Sequence, residues 1–232
     1  MLTNRRTLTL PCLVGLSIMI ASCATESETA VSRPRNPTGK ASADVVIDSD
    51  LPVILAFGDS LTAGHMVDAD VSYPSQLQDE LDRRGYRYRV VNQGVSGETT
   101  SGGLARLRNA LTLEPELVIL ELGANDGLRG IPIEVARENL ATMIEAFKEK
   151  DAVVVLAGLT LPRNYGPDYI GAFETMFAEL AEEYDTALIP FFLEGVAGER
   201  ELNLSDGIHP TGEGYAIVVD NVLKTIEAYL NK

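Results

Sequence analysis

Five short apolar or β-branched runs, separated by helical patterns, constrain the fold of this chain more than any other feature. Three of the runs are continuously apolar, which is typical of strands buried on both faces of a parallel sheet. Strands of this kind need crossover connections, and the intervening segments are long enough to supply them. The predicted strands are Val53–Phe57, Tyr88–Asn92, Leu117–Leu122, Ala152–Ala157 and Thr186–Pro190.

Helical periodicity lies between these runs. After Pro132, a favoured first helical residue, apolar side chains recur at three- and four-residue steps. Further helices are predicted from Tyr73 to Arg84 and from Gly212 to Leu230. Alternating strands and helices predict an α/β protein: a three-layer α/β/α sandwich around a central, mostly five-stranded parallel sheet, of flavodoxin-like type. Ligands of such sheets bind beyond the carboxyl ends of the strands.

The first 22 residues are typical of a secretory signal. Arg5 and Arg6 precede a short apolar stretch that is a weak candidate for a membrane span. The stretch ends in Ile20-Ala21-Ser22-Cys23, which resembles the bacterial lipobox, so that Cys23 would be the lipidated first residue of the mature protein. An ordinary signal peptide with an incidental cysteine is the alternative. The first interpretation places the protein in the bacterial cell envelope, on the periplasmic or outer-membrane side.

Residues 23–50 are rich in polar residues and proline and lack apolar periodicity, which predicts a flexible tether. Residues 51–232 then form one domain, which is large enough to be the catalytic domain. A formal charge of −15 and the lack of basic clusters argue against a nucleic-acid partner. Membrane attachment is therefore expected through lipid on Cys23 and not through a basic patch or a transmembrane helix. Both cysteines lie in the first 23 residues, so the domain has neither a disulfide nor a thiolate metal site.

The first predicted strand leads directly into Gly58-Asp59-Ser60-Leu61-Thr62-Ala63-Gly64. A serine two residues beyond a buried strand can expose its hydroxyl at the start of a helix, where free N–H groups favour developing negative charge. This makes Ser60 a candidate nucleophile. The alternative is an ordinary helix cap.

The second and third predicted strands also end in polar, glycine-containing segments. Gly94 follows the second strand and can bring a backbone N–H close to a ligand, although a simple turn explains it equally well. Ser96 is a rival nucleophile or a local cap. Asn125, after the third strand, has a side-chain amide that can donate to an oxyanion, and the alternative is again a turn.

The segment after the last predicted strand contains the most diagnostic residues, Asp206 and His209. A carboxylate three residues upstream of a histidine can bind its Nδ1–H and leave Nε2 free to accept a serine proton. A surface Asp–His pair is the alternative. His65 is the only other histidine, and having no acidic neighbour it is interpreted as a surface or packing residue.

Taken together, Gly58-Asp59-Ser60-Leu61, Gly94, Gly123-x-Asn125-Asp126 and Asp206-x-x-His209-Pro210 resemble the four blocks of the SGNH (GDSL) hydrolase superfamily, in order and across essentially all of residues 51–232. The longer strings around Ser60 and Asn125 are similar to its branch of bacterial acyl thioesterases, arylesterases and lysophospholipases.

The resemblance implies a serine esterase that forms an acyl-enzyme on carboxylic esters or thioesters, such as short-to-medium acyl esters, aryl esters or lysophospholipids. It implies Ser60 as nucleophile, His209 as base, Asp206 as orienting acid, and an oxyanion hole from Ser60, Gly94 and Asn125. No cofactor or metal is expected, and the protein is expected to be a monomer. A carbohydrate O-acetylesterase and a non-catalytic lipoprotein binding module are the alternatives.

After Asn125, Gly127 and Gly130 bracket a short segment that could move over an acyl chain, with Leu128, Ile131 and Pro132 as its apolar residues. An ordinary connection to the next helix is the alternative.

Overall fold

The computed structural model describes residues 50–232. Predictions for the signal, Cys23 and nearly all of the tether fall on residues 1–49 and lie outside this part. The described chain contains a five-stranded sheet in the order β2-β1-β3-β4-β5, and every pairing in it is parallel. The predicted fold class is therefore confirmed. The strands are β1 Val53–Gly58, β2 Arg89–Gly94, β3 Leu117–Glu121, β4 Val153–Ala157 and β5 Ala187–Ile189.

The strands with the clearest apolar patterns in the sequence are those that the fold buries most completely. All residues of β1 and β3 are buried, since both strands lie inside the sheet with helices on each face. Strand β2 lies at the edge and is only half buried. It also runs further than its apolar stretch predicts, because Gly94 still pairs with Gly58 of β1.

Helices cover both faces of the sheet. On one face α2 packs against α7, and on the other α5 packs against α3 and α6. Helix α7 ends earlier than predicted, at Ile226, and a 3-10 turn follows at Glu227–Tyr229. The helices are α1 Ser60–Ala63, α2 Tyr73–Arg84, α3 Thr100–Leu111, α4 Ala124–Leu128, α5 Ile133–Lys148, α6 Pro167–Glu183 and α7 Gly212–Ile226.

The sheet order places three candidate segments next to one another at the carboxyl ends of the strands. Strand β1 lies between β2 and β3, so the segments after these three strands are neighbours. The long connection between β5 and α7 adds Asp206 and His209. Between residues 50 and 232, no helix has the length and apolarity that crossing a membrane requires. The same residues contain no group of three or more His, Cys, Asp or Glu side chains placed to hold a metal ion.

Candidate active site

Ser60, His209 and Asp206 form a continuous hydrogen-bonded chain. The Oγ of Ser60 lies 2.8 Å from Nε2 of His209, and Nδ1 of His209 lies 2.8 Å from Oδ2 of Asp206. The structure thus brings Ser60 together with the Asp206–His209 pair, which the sequence analysis selected separately. This arrangement allows the imidazole to take a proton from the hydroxyl while the carboxylate fixes the ring and its tautomer.

Asp206 is held by its own loop in the orientation that this chain needs. Its Oδ1 accepts hydrogen bonds from the backbone N–H groups of Ile208 and His209, at 3.0 and 3.1 Å. Partial burial acts to raise the pKa of Asp206, but these backbone bonds and the bond from the His209 ring outweigh it and lower the pKa to about 2. Asp206 therefore remains ionised at any pH at which the histidine can act as a base.

The turn after β1 places the Ser60 hydroxyl at the carboxyl ends of the strands. Asp59 is buried and caps the four-residue helix α1, because its Oδ1 accepts the N–H of Leu61 at 3.0 Å. The backbone N–H of Ser60 has no hydrogen-bond partner among residues 50–232. One oriented, unused donor therefore lies beside the hydroxyl oxygen.

Asn125 supplies a second donor from α4. Its Nδ2 donates to Oδ2 of Asp59 at 2.8 Å, and both residues line the same cavity as Ser60. A primary amide has two N–H groups, and this bond uses only one of them. Asp59 thus orients the Asn125 amide and leaves its second N–H available to a ligand.

Gly94 does not occupy the expected position. Its N–H is already bound to Oδ1 of Asn92 at 2.9 Å, and it does not line the cavity. A Cβ at this position would come within 2.1 Å of the Ala63 nitrogen, so a glycine is needed here for close packing against α1. The bond to Asn92 and the position of Gly94 outside the cavity both argue against Gly94 as an oxyanion donor. Three residues further on, Gly97 lines the cavity, and its N–H has no partner within the described chain.

Two arginines hold the turn that contains Gly97. Arg129, just after α4, donates through Nη2 to the Gly97 carbonyl at 2.6 Å. Arg106 of α3 forms a 2.6 Å ion pair with Glu98 and also donates to the carbonyl of Gly58 at 3.1 Å. The turn is thereby fixed both to α4 and to the end of β1, which carries Ser60.

A second acid, Glu121, lies beneath Asp59 at the end of β3, and both carboxyls are buried. Oε2 of Glu121 accepts the Thr62 hydroxyl at 2.8 Å and the Asp59 N–H at 3.3 Å. Burial raises the pKa of Asp59 to about 6, against the lowering effect of its bonds from Leu61 and Asn125. Burial, together with the neighbouring Asp59 charge, also raises the pKa of Glu121 well above its usual range.

This pair makes stability depend on pH. The pKa values of both carboxyls are higher in the folded chain than in the unfolded one, so the folded chain keeps protons that the unfolded chain has released. The free energy of unfolding therefore falls as pH rises from about 4 through about 6, the pKa of Asp59. We expect Glu121→Gln, which cannot ionise, to be more stable than the wild type at pH 8 by about 1–3 kcal/mol, the cost of a buried polar group without a partner.

Urea denaturation of the full chain at pH 8 and pH 5 measures this effect. The advantage of Glu121→Gln should shrink at pH 5, where the wild-type pair holds more protons. Oε1 of Glu121 has no partner among the described residues, so an amide nitrogen can replace it without breaking a bond. Glu149→Gln, on an exposed position, is the matched control. If the difference in free energy of unfolding between Glu121→Gln and the wild type did not change with pH, ionisation of the buried pair would not be its cause.

A cavity of about 960 Å³ opens beside Ser60 and His209. Much of its wall is apolar and comes from α4, α6 and the segments that follow β4 and β5. Its size is sufficient for an acyl chain of several carbons as well as the ester group. The apolar lining includes Leu128, Leu159, Leu161, Ile170, Phe191 and Leu193.

His65 and Ser96 also line the cavity, and the structure changes the interpretation of both. The ring centroid of His65 lies 4.6 Å from that of His209, so His65 packs against His209 within the cavity. The Ser96 hydroxyl lies 3.4 Å from Nδ1 of His65. No carboxylate completes this second pair among the contacts of the described chain, which makes Ser96 a weaker candidate nucleophile than Ser60.

Comparisons with known proteins identify the family of this chain. Residues 56–217 match the GDSL-like Lipase/Acylhydrolase family. Esterase TesA of Pseudomonas aeruginosa is 44% identical over 178 residues, 76% of this chain and 89% of the relative. Thioesterase 1/protease 1/lysophospholipase L1 of Escherichia coli is 36% identical, over 77% of this chain and 85% of the relative. The crystal structure of esterase EstA from Pseudoalteromonas sp. inhibited by monoethylphosphonate superposes with a TM-score of 0.73 at 32% identity, covering 76% of this chain and 97% of that one.

Proposed function

Because this chain belongs to the GDSL-like lipase/acylhydrolase family and is an ester-hydrolysing serine hydrolase, we propose that Ser60, His209 and Asp206 are its catalytic triad. The observation that carries the proposal is the unbroken chain of 2.8 Å contacts from the Ser60 hydroxyl to the Asp206 carboxylate. A binding module would not need these three side chains in this alignment.

In the proposed reaction, Nε2 of His209 takes the Ser60 proton as Oγ attacks the ester carbonyl carbon. When the tetrahedral intermediate collapses, His209 gives that proton to the leaving oxygen, and the acyl group stays on Ser60. A water molecule then gives its proton to His209 and attacks the acyl-enzyme. Collapse of the second intermediate releases the carboxylic acid and returns the proton to Ser60. Asp206 remains ionised throughout and holds the imidazole ring.

We propose that the oxyanion formed in each addition step is bound by three donors. These are the backbone N–H groups of Ser60 and Gly97 and the second amide N–H of Asn125. Support comes from their shared cavity and from the unused state of both backbone donors within the described chain. Donors fixed before the reaction stabilise the developing charge without the cost of reorganising solvent.

The apolar side of the cavity supports medium-chain acyl groups as the acyl part of the substrate. An acetyl group would leave most of the 960 Å³ unused, whereas each buried methylene contributes about 0.8 kcal/mol to binding. This observation favours acyl esters over acetylated carbohydrates. Hydrolysis of thioesters and lysophospholipids is a further proposal, supported by the printed name of the Escherichia coli relative.

A chain-length series of p-nitrophenyl esters tests the acyl assignment. Leu128 is half buried in the cavity wall, so Leu128→Asp introduces a charge where the chain should lie. We expect kcat/KM for the octanoyl ester to fall about 10- to 100-fold more than kcat/KM for the acetyl ester. The acetyl ester and a thermal melt serve as internal controls for folding. Equal losses for the two esters would show that the acyl chain binds elsewhere.

We also propose that the protein is a monomer anchored to the bacterial envelope by lipid on Cys23. The support is the Ile20-Ala21-Ser22-Cys23 sequence after a basic and apolar leader. More than one acyl chain on a single residue would anchor the domain firmly, without a basic surface. Incorporation of labelled palmitate into the wild type but not into Cys23→Ser tests the anchor.

A further inference from the structure

His65 is attached to the proposed catalytic centre at three points. Its backbone N–H donates to the carbonyl of Ser60 at 3.1 Å, which ties its position to that of the nucleophile. Its ring lies against the ring of His209 at a centroid distance of 4.6 Å and an angle of 46°. Its Nδ1 contacts the Ser96 hydroxyl at 3.4 Å. A side chain fixed in this way has a defined orientation within the cavity.

The two flanks of the cavity differ in chemistry. The flank built from the segments after β4 and β5 is mainly apolar, whereas His65, Ser96 and Gly97 come from the segments after β1 and β2. Strands β2 and β1 occupy one side of the sheet order and β4 and β5 the other. If the acyl chain lies on the apolar flank, the alcohol part of the ester must extend toward the polar one.

The catalytic histidine supports the same placement. His209 must reach the leaving oxygen to protonate it, so the alcohol departs from beside the His209 ring. His65 lies against that ring and lines the cavity, and its Nε2 has no hydrogen-bond partner among residues 50–232. A ring nitrogen in this position can bind a hydroxyl or ether oxygen carried by the departing alcohol.

We propose that His65, supported by Ser96, is a specificity-determining contact for the leaving group and selects esters whose alcohol carries a further hydrogen-bonding group, as glycerol does. This proposal rests on the triad assignment above. It concerns the alcohol side of the substrate, which the apolar cavity does not determine. His65 adds a binding contact, and the bond-making steps still pass through Ser60 and His209.

Two butyrate esters with the same acyl chain test the proposal: 1-monobutyrin, whose glycerol part has free hydroxyls, and butyl butyrate, whose alcohol has none. The quantity measured is the ratio of their kcat/KM values. His65→Phe keeps an aromatic ring against His209 but removes both nitrogens. We expect the ratio, monobutyrin over butyl butyrate, to fall about ten-fold, the effect of one net hydrogen bond.

His65→Gln restores a hydrogen-bonding side chain without the ring and should recover at least part of the ratio. A purely structural role of the ring against His209 would not produce this recovery. Met66→Gln is the matched control, because Met66 is 78% exposed and does not line the cavity, and it should keep the wild-type ratio. The proposal would be overturned if His65→Phe lowered kcat/KM equally for both esters, or if the ratio stayed within two-fold of the wild-type ratio.

The leaving-group assignment and the triad assignment fail through different results. Retained activity after Ser60→Ala rejects the nucleophile, whatever selectivity His65→Phe shows. Conversely, an unchanged ester ratio in His65→Phe rejects the leaving-group contact and leaves the Ser60 assignment standing. Measuring both variants as full chains, with the same two esters, separates the two outcomes.

Discussion

Replacing Ser60 with alanine should lower kcat for p-nitrophenyl butyrate by about 10⁶-fold, the scale of loss seen when a serine hydrolase loses its nucleophile. The reason is that Oγ of Ser60 is the only hydroxyl of the described chain within hydrogen-bond distance of Nε2 of His209. Folding should be preserved, because within residues 50–232 the side chain of Ser60 makes a single hydrogen bond, the one to His209. The residual activity would come from the remaining binding and oxyanion groups.

Covalent labelling makes the same prediction in a second way. A fluorophosphonate probe should modify the wild-type protein on Ser60 and should leave Ser60→Ala unlabelled. Ser96→Ala is the matched control and should still be labelled, since it removes the rival hydroxyl from the same cavity. Labelling of Ser60→Ala, or a kcat within ten-fold of the wild type, would move the nucleophile to another residue.

Replacing Asn125 with alanine should lower kcat by about 10²–10³-fold, the effect of removing one oxyanion donor. KM should change less, because the charge that the donor stabilises develops only in the transition state. The backbone donors of Ser60 and Gly97 remain, which is why the expected loss is smaller than for Ser60→Ala. Steady-state kinetics on p-nitrophenyl butyrate measures both parameters.

A structural explanation of that loss can be tested separately. Asn125→Ala also removes a bond to Asp59, which is buried, so the urea midpoint of the variant should be measured alongside its kinetics. Asn109→Ala, on an exposed helical position, is the control for amide removal as such. If Asn125→Ala keeps kcat within about three-fold of the wild type, its amide does not bind the oxyanion.

The sequence predicts those parts of the site that depend on local pattern. Ser60 follows a continuous apolar run, and Asn125 follows an apolar run interrupted only by Glu121. Such runs are reliable signs of strands buried on both faces. Asp206 and His209 are three residues apart, so their interaction follows from the conformation of a single loop. Predictions of this kind need no knowledge of how distant segments pack.

Other parts depend on packing and could not be predicted in this way. Strand β2 continues to Gly94 because backbone pairing with β1 does not need apolar side chains. The N–H of Gly94 is bound by the Asn92 side chain, whereas the N–H of Gly97 has no partner in the described chain. His65 meets His209 only through the tertiary fold. The buried position of Glu121 could have been predicted from the sequence, because a single acid inside the apolar run of β3 indicates a buried charge that needs partners.

The bond between Ser60 and His209 joins residues 149 positions apart in the chain. During synthesis the serine therefore emerges long before the histidine that we propose as its base, and a partly made chain contains a hydroxyl without this activating partner. Contacts of such long sequence separation carry a large loop-closure cost and form only with cooperative packing of the elements between them. Hydrolytic activity therefore reports completed folding. It requires the loop that carries His209, and the helix after it, to pack against the end of the first strand.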